Sequence, residues 1–306
     1  MRKNCADKGK SEKEITFTLD YEPPPAAECE VNMDYLSREG SPISKDLWEE
    51  IDSIVVNTAR KALVGRKFLH LFGPLGVGTE SIPVDDSEAL EEVSEDGFIA
   101  TKGRRFVEIP MIYDDFTLLS KDLENSRKFN YPIDLSKAAY AAENCARKED
   151  KLIFCGNAKY GYDGLLTAPG VNKIVKKDWS VGENAFADIA SGIELFTQNS
   201  IYGTYALIVS PDLYMQLQRI QPGTGLLELE RIRSLLSGNI YFSTVLGNRK
   251  ALLVCSDPRY IDLVIGQDLA AAYLEQKDLN HSFRILESLL LRIKKKQAVT
   301  VFEESK

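Results

Sequence analysis

From Ser44 to Gly78 the chain reads SKDLWEEIDSIVVNTARKALVGRKFLHLFGPLGVG. Leu47, Ile51, Ile54, Val55, Ala59, Ala62 and Leu63 recur at three- and four-residue spacing, which lines them along one side of a helix and leaves charged residues on the other. Ser44 is placed to cap the helix, and Asp46 falls in the first turn, beside the positive end of the dipole. Arg60 and Lys61 fall near the opposite end, and Gly65 stops the helix. Arg66 to Leu71 then alternates as a strand does. The glycines at 73, 76 and 78 around Pro74 make a flexible departure point for the next segment of chain.

Outward from this stretch, the composition narrows the class of protein. The chain has 306 residues, 44% of them apolar, enough for one large domain or two with a real core. A net charge of -8 argues against a nucleic-acid or membrane-surface role, because either needs a clustered basic face. The one dense basic run, Arg292 to Lys296, reads as a solvated strand edge. No apolar run is long enough to span a membrane and the N-terminus has no apolar signal core, so a cytoplasmic protein is expected. Cys5, Cys29, Cys145, Cys155 and Cys255 are odd in number and never in CxxC spacing, which predicts free and mostly buried thiols.

Residues 1–32 are charged and poor in core residues, with one alternating run, ITFTLDY, ahead of a proline-stiffened spacer; they read as a flexible tail in which that run is either docked as an added strand or extended peptide or an incidental apolar run in a disordered segment. Residues 79–98 are acidic and turn-rich, and FIATKGRRFVEIPMIYDDFTL returns as extended sequence. Together they predict a long two-stranded arm with too little apolar surface to stand alone, a first sign of assembly. Asp134 opens a long alanine-rich helix with Leu135, Ala138, Ala142 and Ala146 on its packing face. A second amphipathic helix carries Phe186, Ile189, Ala190, Ile193 and Phe196. The loop Asn199 to Gly203 comes next, and a mixture of short strands and helices runs on to IDLVIG. The final segment HSFRILESLLLRIKKKQAVTVFE reads as one long strand in the sheet of the arm or the spine helix. The fold class is α+β.

Chemistry is scarce. His70 and His281 are the only histidines, which excludes a multi-histidine metal site within one chain, and His70 reads as structural. The glycines at 73, 76 and 78 do not follow a strand and open a helix, so they are hinges and not a phosphate cradle. The acidic cluster Asp85, Asp86, Glu88, Glu91 and Glu92 lacks calcium-loop spacing. Asp114 and Asp115 would lie on opposite faces of a strand, unsuited to paired acid–base work, and Trp48 and Trp179 read as packing residues. No catalytic or metal-binding residue is assigned.

MDYLSREGSPISKDLWEEID from Met33, LVGRKFLHLFGP from Leu63, and IDLVIGQDLAAAYLE from Ile261 paired with the long C-terminal segment resemble, in order and spacing, the shell protein of encapsulin nanocompartments, a family once labelled linocin-type bacteriocin. The resemblance runs from Met33 to about Phe302. It implies the tailed-phage major capsid fold of the Hong Kong 97 type. On this sequence that means an N-terminal extension (1–32), an N-terminal helix and strand (33–72), an extended arm (73–118), a peripheral domain (119–155 with 256–306) and an axial domain (156–255).

The resemblance also implies a large homo-oligomer that encloses a cargo protein, ferritin-like or a dye-decolorising peroxidase, bound by its C-terminal targeting peptide. Catalysis would then reside in the cargo, in the setting of iron storage or oxidative stress. The implied peptide pocket maps to Arg66, Phe68, His70, Ile265 and Leu269, and the implied pore loop to Asn199, Ser200, Ile201, Tyr202 and Gly203. Some members hold a flavin beside an arm tryptophan; Thr101 stands at that position here, and no cofactor is expected. A soluble enzyme, either a protease or a flavin-linked oxidoreductase, and a prophage capsid subunit are the alternative readings.

Overall fold

The computed structural model describes residues 35–84, 90–221 and 225–304. Helix α1, Lys45–Ala62, begins as the sequence predicts: the Ser44 side chain accepts from the Leu47 amide, with Asp46 in the first turn and Arg60 and Lys61 in the last. Leu47, Ile51, Val55 and Ala59 are buried, and Trp48 joins them with its indole edge against Phe283. The helix ends at Ala62, three residues before Gly65, because the Asp150 carboxylate accepts the Val64 and Gly65 amides and turns the chain. The expected strand from Arg66 is therefore a 3-10 turn, Gly65–Lys67, and only His70–Phe72 (β1) is extended.

The predicted arm is present as two short antiparallel pairs. Ser81–Pro83 (β2) pairs with Phe106–Glu108 (β5), and Glu91–Glu95 (β3) pairs with Phe98–Lys102 (β4). Met111–Leu118 (β6) is no longer arm, since it joins the main sheet. Asp85, Asp86 and Glu88 lie outside the described residues, as does the tail through Asp34 with Cys5, Cys29 and the ITFTLDY run. Helix α2, Ser120–Phe129, leads to the spine helix α3, Ser136–Cys155, preceded by a turn in which Asp134 accepts from the Ser136 amide and hydroxyl. Leu135, Ala138, Ala142 and Ala146 are buried as expected, in contact with the α1 stripe.

Two sheets organise the rest. The second is built from Asn172–Val175 (β7), Tyr205–Val209 (β8), Ile240–Phe242 (β9), Ala251–Cys255 (β10) and Val299–Glu303 (β13), in the order β7-β13-β10-β8-β9. Helices Asn184–Gln198 (α4), Pro211–Leu217 (α5) and Glu228–Leu235 (α6) accompany it. The first, in the order β1-β11-β12-β6, is dominated by a hairpin of Ile261–Lys277 (β11) and Asn280–Ile293 (β12). The IDLVIG segment is thus the start of a 17-residue strand, its alternation broken by register shifts around Gln267 and Tyr273. The C-terminal segment is two strands and not one: a 3-10 corner at Lys296–Ala298, with Ala298 fully buried, sends β13 into the second sheet between β7 and β10. Residues 256–306 therefore divide between the sheets, and the second sheet is completed by the chain's end.

The basic run is also corrected. Arg292 binds both oxygens of Asp262 across the β11–β12 ladder and Lys294 adds a third contact at 2.7 Å, so these cations neutralise a buried carboxylate. Asp114 and Asp115 do diverge: Asp114 meets Lys148 and Asn144 of α3, while Asp115 pairs with Arg284. Trp179 is buried with its N–H on Asp188, and the three cysteines of the described residues are free.

Candidate functional site

The five residues assigned to a peptide pocket fall around the junction of α1, the 3-10 turn and β11, and the fold uses three of them internally. The Arg66 guanidinium donates to Glu149 of α3 (2.9 Å), Asp268 of β11 (2.7 Å) and Glu287 of β12 (2.8 Å), tying three elements together. Its pKa lies above the ordinary range because these carboxylates outweigh the opposing effect of burial. Phe68 is buried with its ring between Phe154 and Tyr241, at centroid distances of 6.2 and 5.9 Å. Ile265 is 3% exposed, and its carbonyl accepts the Leu75 amide from the loop after β1. That loop approaches so closely that a Cβ on Gly73, whose φ is +125°, would collide with the Ile265 carbonyl.

His70 is exposed, but its ladder partner is Asp262, seven positions before Leu269 along β11, a separation of roughly 20 Å at strand rise. The five residues therefore do not form one open groove in this chain.

Around Leu269 the surface has a different make-up. Leu269 is half-buried and, with half-buried Ala62, covers a small cluster of buried Ala59, Leu63 and Ala146. Arg60 is exposed on the same turn of α1 as Ala62, and Asp268 flanks Leu269 with its side chain 60% exposed. Burial alone would raise the Asp268 pKa, but hydrogen bonding and charge from Arg66 hold it below the ordinary value, so it stays ionised. The result is a small apolar step edged by one carboxylate and one guanidinium. Ala62 and Asp268, which border Leu269, were not singled out from the sequence.

In the second candidate, the loop after α4, the roles are likewise divided. Ile201 is fully buried and anchors the loop, while Tyr202 is 56% exposed at its tip and Ser200 turns the chain at positive φ. The Tyr202 carbonyl accepts from Arg259, itself bound to Asp257, and Gly203 lies close against Cys255 and Asp257. Asn199 closes α4 by donating to the Leu195 carbonyl. Asn199, Ser200, Tyr202 and Gly203 are exposed, with Asn199 held at the end of α4. Neither histidine sits in a catalytic arrangement: His281, 8% exposed, contacts the Tyr273 hydroxyl, and burial lowers its pKa. Among the described residues no group of histidine, cysteine and acidic side chains has the geometry of a metal site.

A long β-hairpin beside a spine helix, a projecting arm and a second sheet closed by the C-terminus define the capsid-subunit class of fold. Solved structures of that class match it. The virus-like particle subunit of Pyrococcus furiosus superposes with a TM-score of 0.69 at 21% identity, over 84% of this chain and all of that one. The capsid of Myoviridae phage XM1 gives a TM-score of 0.56 at 14% identity, over 78% and 90%. A family model described as "Encapsulating protein for peroxidase" matches residues 33–290, and the chain belongs to that family, the encapsulin shell proteins. The Myxococcus xanthus type 1 encapsulin shell protein EncA is 39% identical over 88% of this chain and 96% of its own length. A diheme-cytochrome-encapsulin shell fusion protein of Kuenenia stuttgartiensis is 40% identical over 85% of this chain and 74% of that protein. The family is structural, and its catalysis belongs to the enclosed proteins.

Proposed function

We propose that this chain is the subunit of a closed icosahedral nanocompartment in the cytoplasm, which encloses a ferritin-like or peroxidase-type cargo through the cargo's C-terminal targeting peptide. The observation that carries the assembly is the arm. Phe98 and Ile99 are 79% and 70% exposed on a two-stranded hairpin that has no apolar partner within its own chain among the described residues, and such a hairpin is marginal unless another subunit covers it. The peptide site is the surface around Leu269 and Ala62, edged by Asp268 and Arg60, and His70 lies outside it. Phe68, Ile265 and Arg66 act behind it as supports. An extended peptide would place apolar side chains on the step and polar groups against its charged rim.

The exposed tip of the Ser200–Gly203 loop is the proposed pore element, with Tyr202 the side chain that symmetry would repeat around an opening. Thr101 on β4 is exposed and offers no indole for a flavin to stack on, so flavin is not part of this reading. The net charge of -8 does not favour packaged nucleic acid, and among the described residues no helix is long and apolar enough to cross a membrane.

The peptide site is tested by Leu269→Asp, which places an unpaired charge on the step without opening the core. Co-expression with a reporter bearing a cargo targeting peptide should give closed particles with at least about tenfold less reporter inside. Undiminished loading would move the site elsewhere.

A further inference from the structure

We propose that Glu287 of β12 carries a proton beneath Arg66 and shares that guanidinium with the Glu149 carboxylate of α3, making this junction a proton-held clasp between the spine helix and the long hairpin. The clasp belongs to the fold of the chain and does not depend on the cargo. The Glu149 and Glu287 side chains are 0% and 1% exposed, and both bind the same guanidinium. Glu287 gives Arg66 only its Oε2; its Oε1 is buried and has no hydrogen-bond donor among the described residues. The Glu149 carboxyl lies on the same guanidinium, at 2.9 Å from its Nε. Two carboxylates are acceptors only, so they can bond to each other only if one carries a proton.

The charges facing this pair decide where that proton stays. From the 3-10 turn comes Arg66, whose positive charge is shared among Glu149, Glu287 and the exposed Asp268 of β11. From α3 come Cys145, its thiol pushed up to about 12 chiefly by burial, and Asp150, whose carboxylate is turned to the Val64 and Gly65 amides. Lys67 acts on Asp150 and Arg60 on Asp268, each outside the pair. One guanidinium cannot balance three carboxylates, and the two buried ones cannot both ionise without an uncompensated charge in a low-dielectric interior. Burial first, and then Glu149, raise the Glu287 pKa well above the ordinary glutamate value, against the opposing pull of Arg66.

A carboxyl group whose folded pKa is raised contributes stability that is complete below the ordinary glutamate range and is lost as pH rises through the folded value. The O–H bond of that proton breaks, the proton passes to solvent, and two anions face each other across the α3–β12 seam. The clasp therefore loosens as pH rises above the ordinary glutamate range and through the folded value.

Infrared difference spectroscopy of the purified full-length protein, wild type minus Glu287→Gln, tests this from about pH 5.5 upward, because the Asp150 carboxyl, with its pKa of about 7, is common to both proteins and cancels. The difference should hold a protonated carboxylic-acid C=O band at pH values above the ordinary glutamate range. Thermal unfolding of the wild type should fall more steeply than that of the variant as pH rises above that range. Should Glu287→Gln not fold, Glu149→Gln serves equally, since either substitution leaves one carboxylate for Arg66. If neither folds, a band that survives in Asp150→Asn decides. A difference spectrum without the band overturns the proton on Glu287.

Discussion

Asp150 shows how one buried side chain sets the course of the backbone. Its carboxylate takes the Val64 and Gly65 amides at 3.0 and 2.8 Å and so ends α1, and a Cβ on Gly65 would have to push aside the Ile153 side chain. Burial, only partly offset by those amides, raises the Asp150 pKa to about 7. Its contribution to stability is then complete below about pH 4 and is lost as pH rises toward 7. Asp150→Asn keeps an acceptor oxygen and removes the titration, so the difference in thermal midpoint between variant and wild type should change across that window. A constant difference would show that Asp150 is ionised throughout.

In the loop proposed to line a pore, Ile201 is the buried anchor and Tyr202 the exposed tip. Ile201→Ala should cost about 2–5 kcal/mol as a core truncation. Tyr202→Ala should leave unfolding unchanged and admit larger solutes to loaded particles; entry of sized probes at the wild-type rate would place traffic elsewhere.

The elements differ in how far the sequence reveals them, for physical reasons. Helices α1 and α3 were legible because their buried residues repeat at helical spacing; Ser44 caps α1 as expected, whereas the N-cap of α3 is Leu135 and Asp134 sits in the turn before it. Helix α2 was not, since SKDLENSRKF buries only Leu123 and has no stripe to read. Strand β11 was cut short at Gly266 because the register shifts near Gln267 expose Asp268 and break the alternation. The corner at Lys296–Ala298 was hidden because strong alternation resumes on both sides of it while the chain changes sheets. For the candidate site, residue types were readable and burial was not. Phe68 and Ile265 look like contact residues in sequence, but the stacked rings and the loop after β1 seal them in the core. The arm yields its own prediction: Phe98→Ser with Ile99→Ser removes its exposed apolar pair and should convert large particles into small soluble oligomers of unchanged fold, read by sedimentation and circular dichroism. Normal particle yield would mean that the arm does not carry the contact.

At the scale of the whole molecule, the chain folds as one body from Tyr35 onward yet leaves large apolar side chains uncovered in several places, among them Phe129, Tyr131, Tyr140, Phe242 and the arm pair. Isolated exposed apolar residues are ordinary, but this many large ones spread over a folded unit call for several interfaces, as a shell subunit with several neighbours has. The match to encapsulin shell proteins over residues 33–290 and the capsid-type fold agree with that demand. Electron microscopy of the full-length protein purified alone tests the central claim most directly. Uniform closed particles of megadalton mass are the predicted result; a monomer or small dimer at the same concentration would contradict the account.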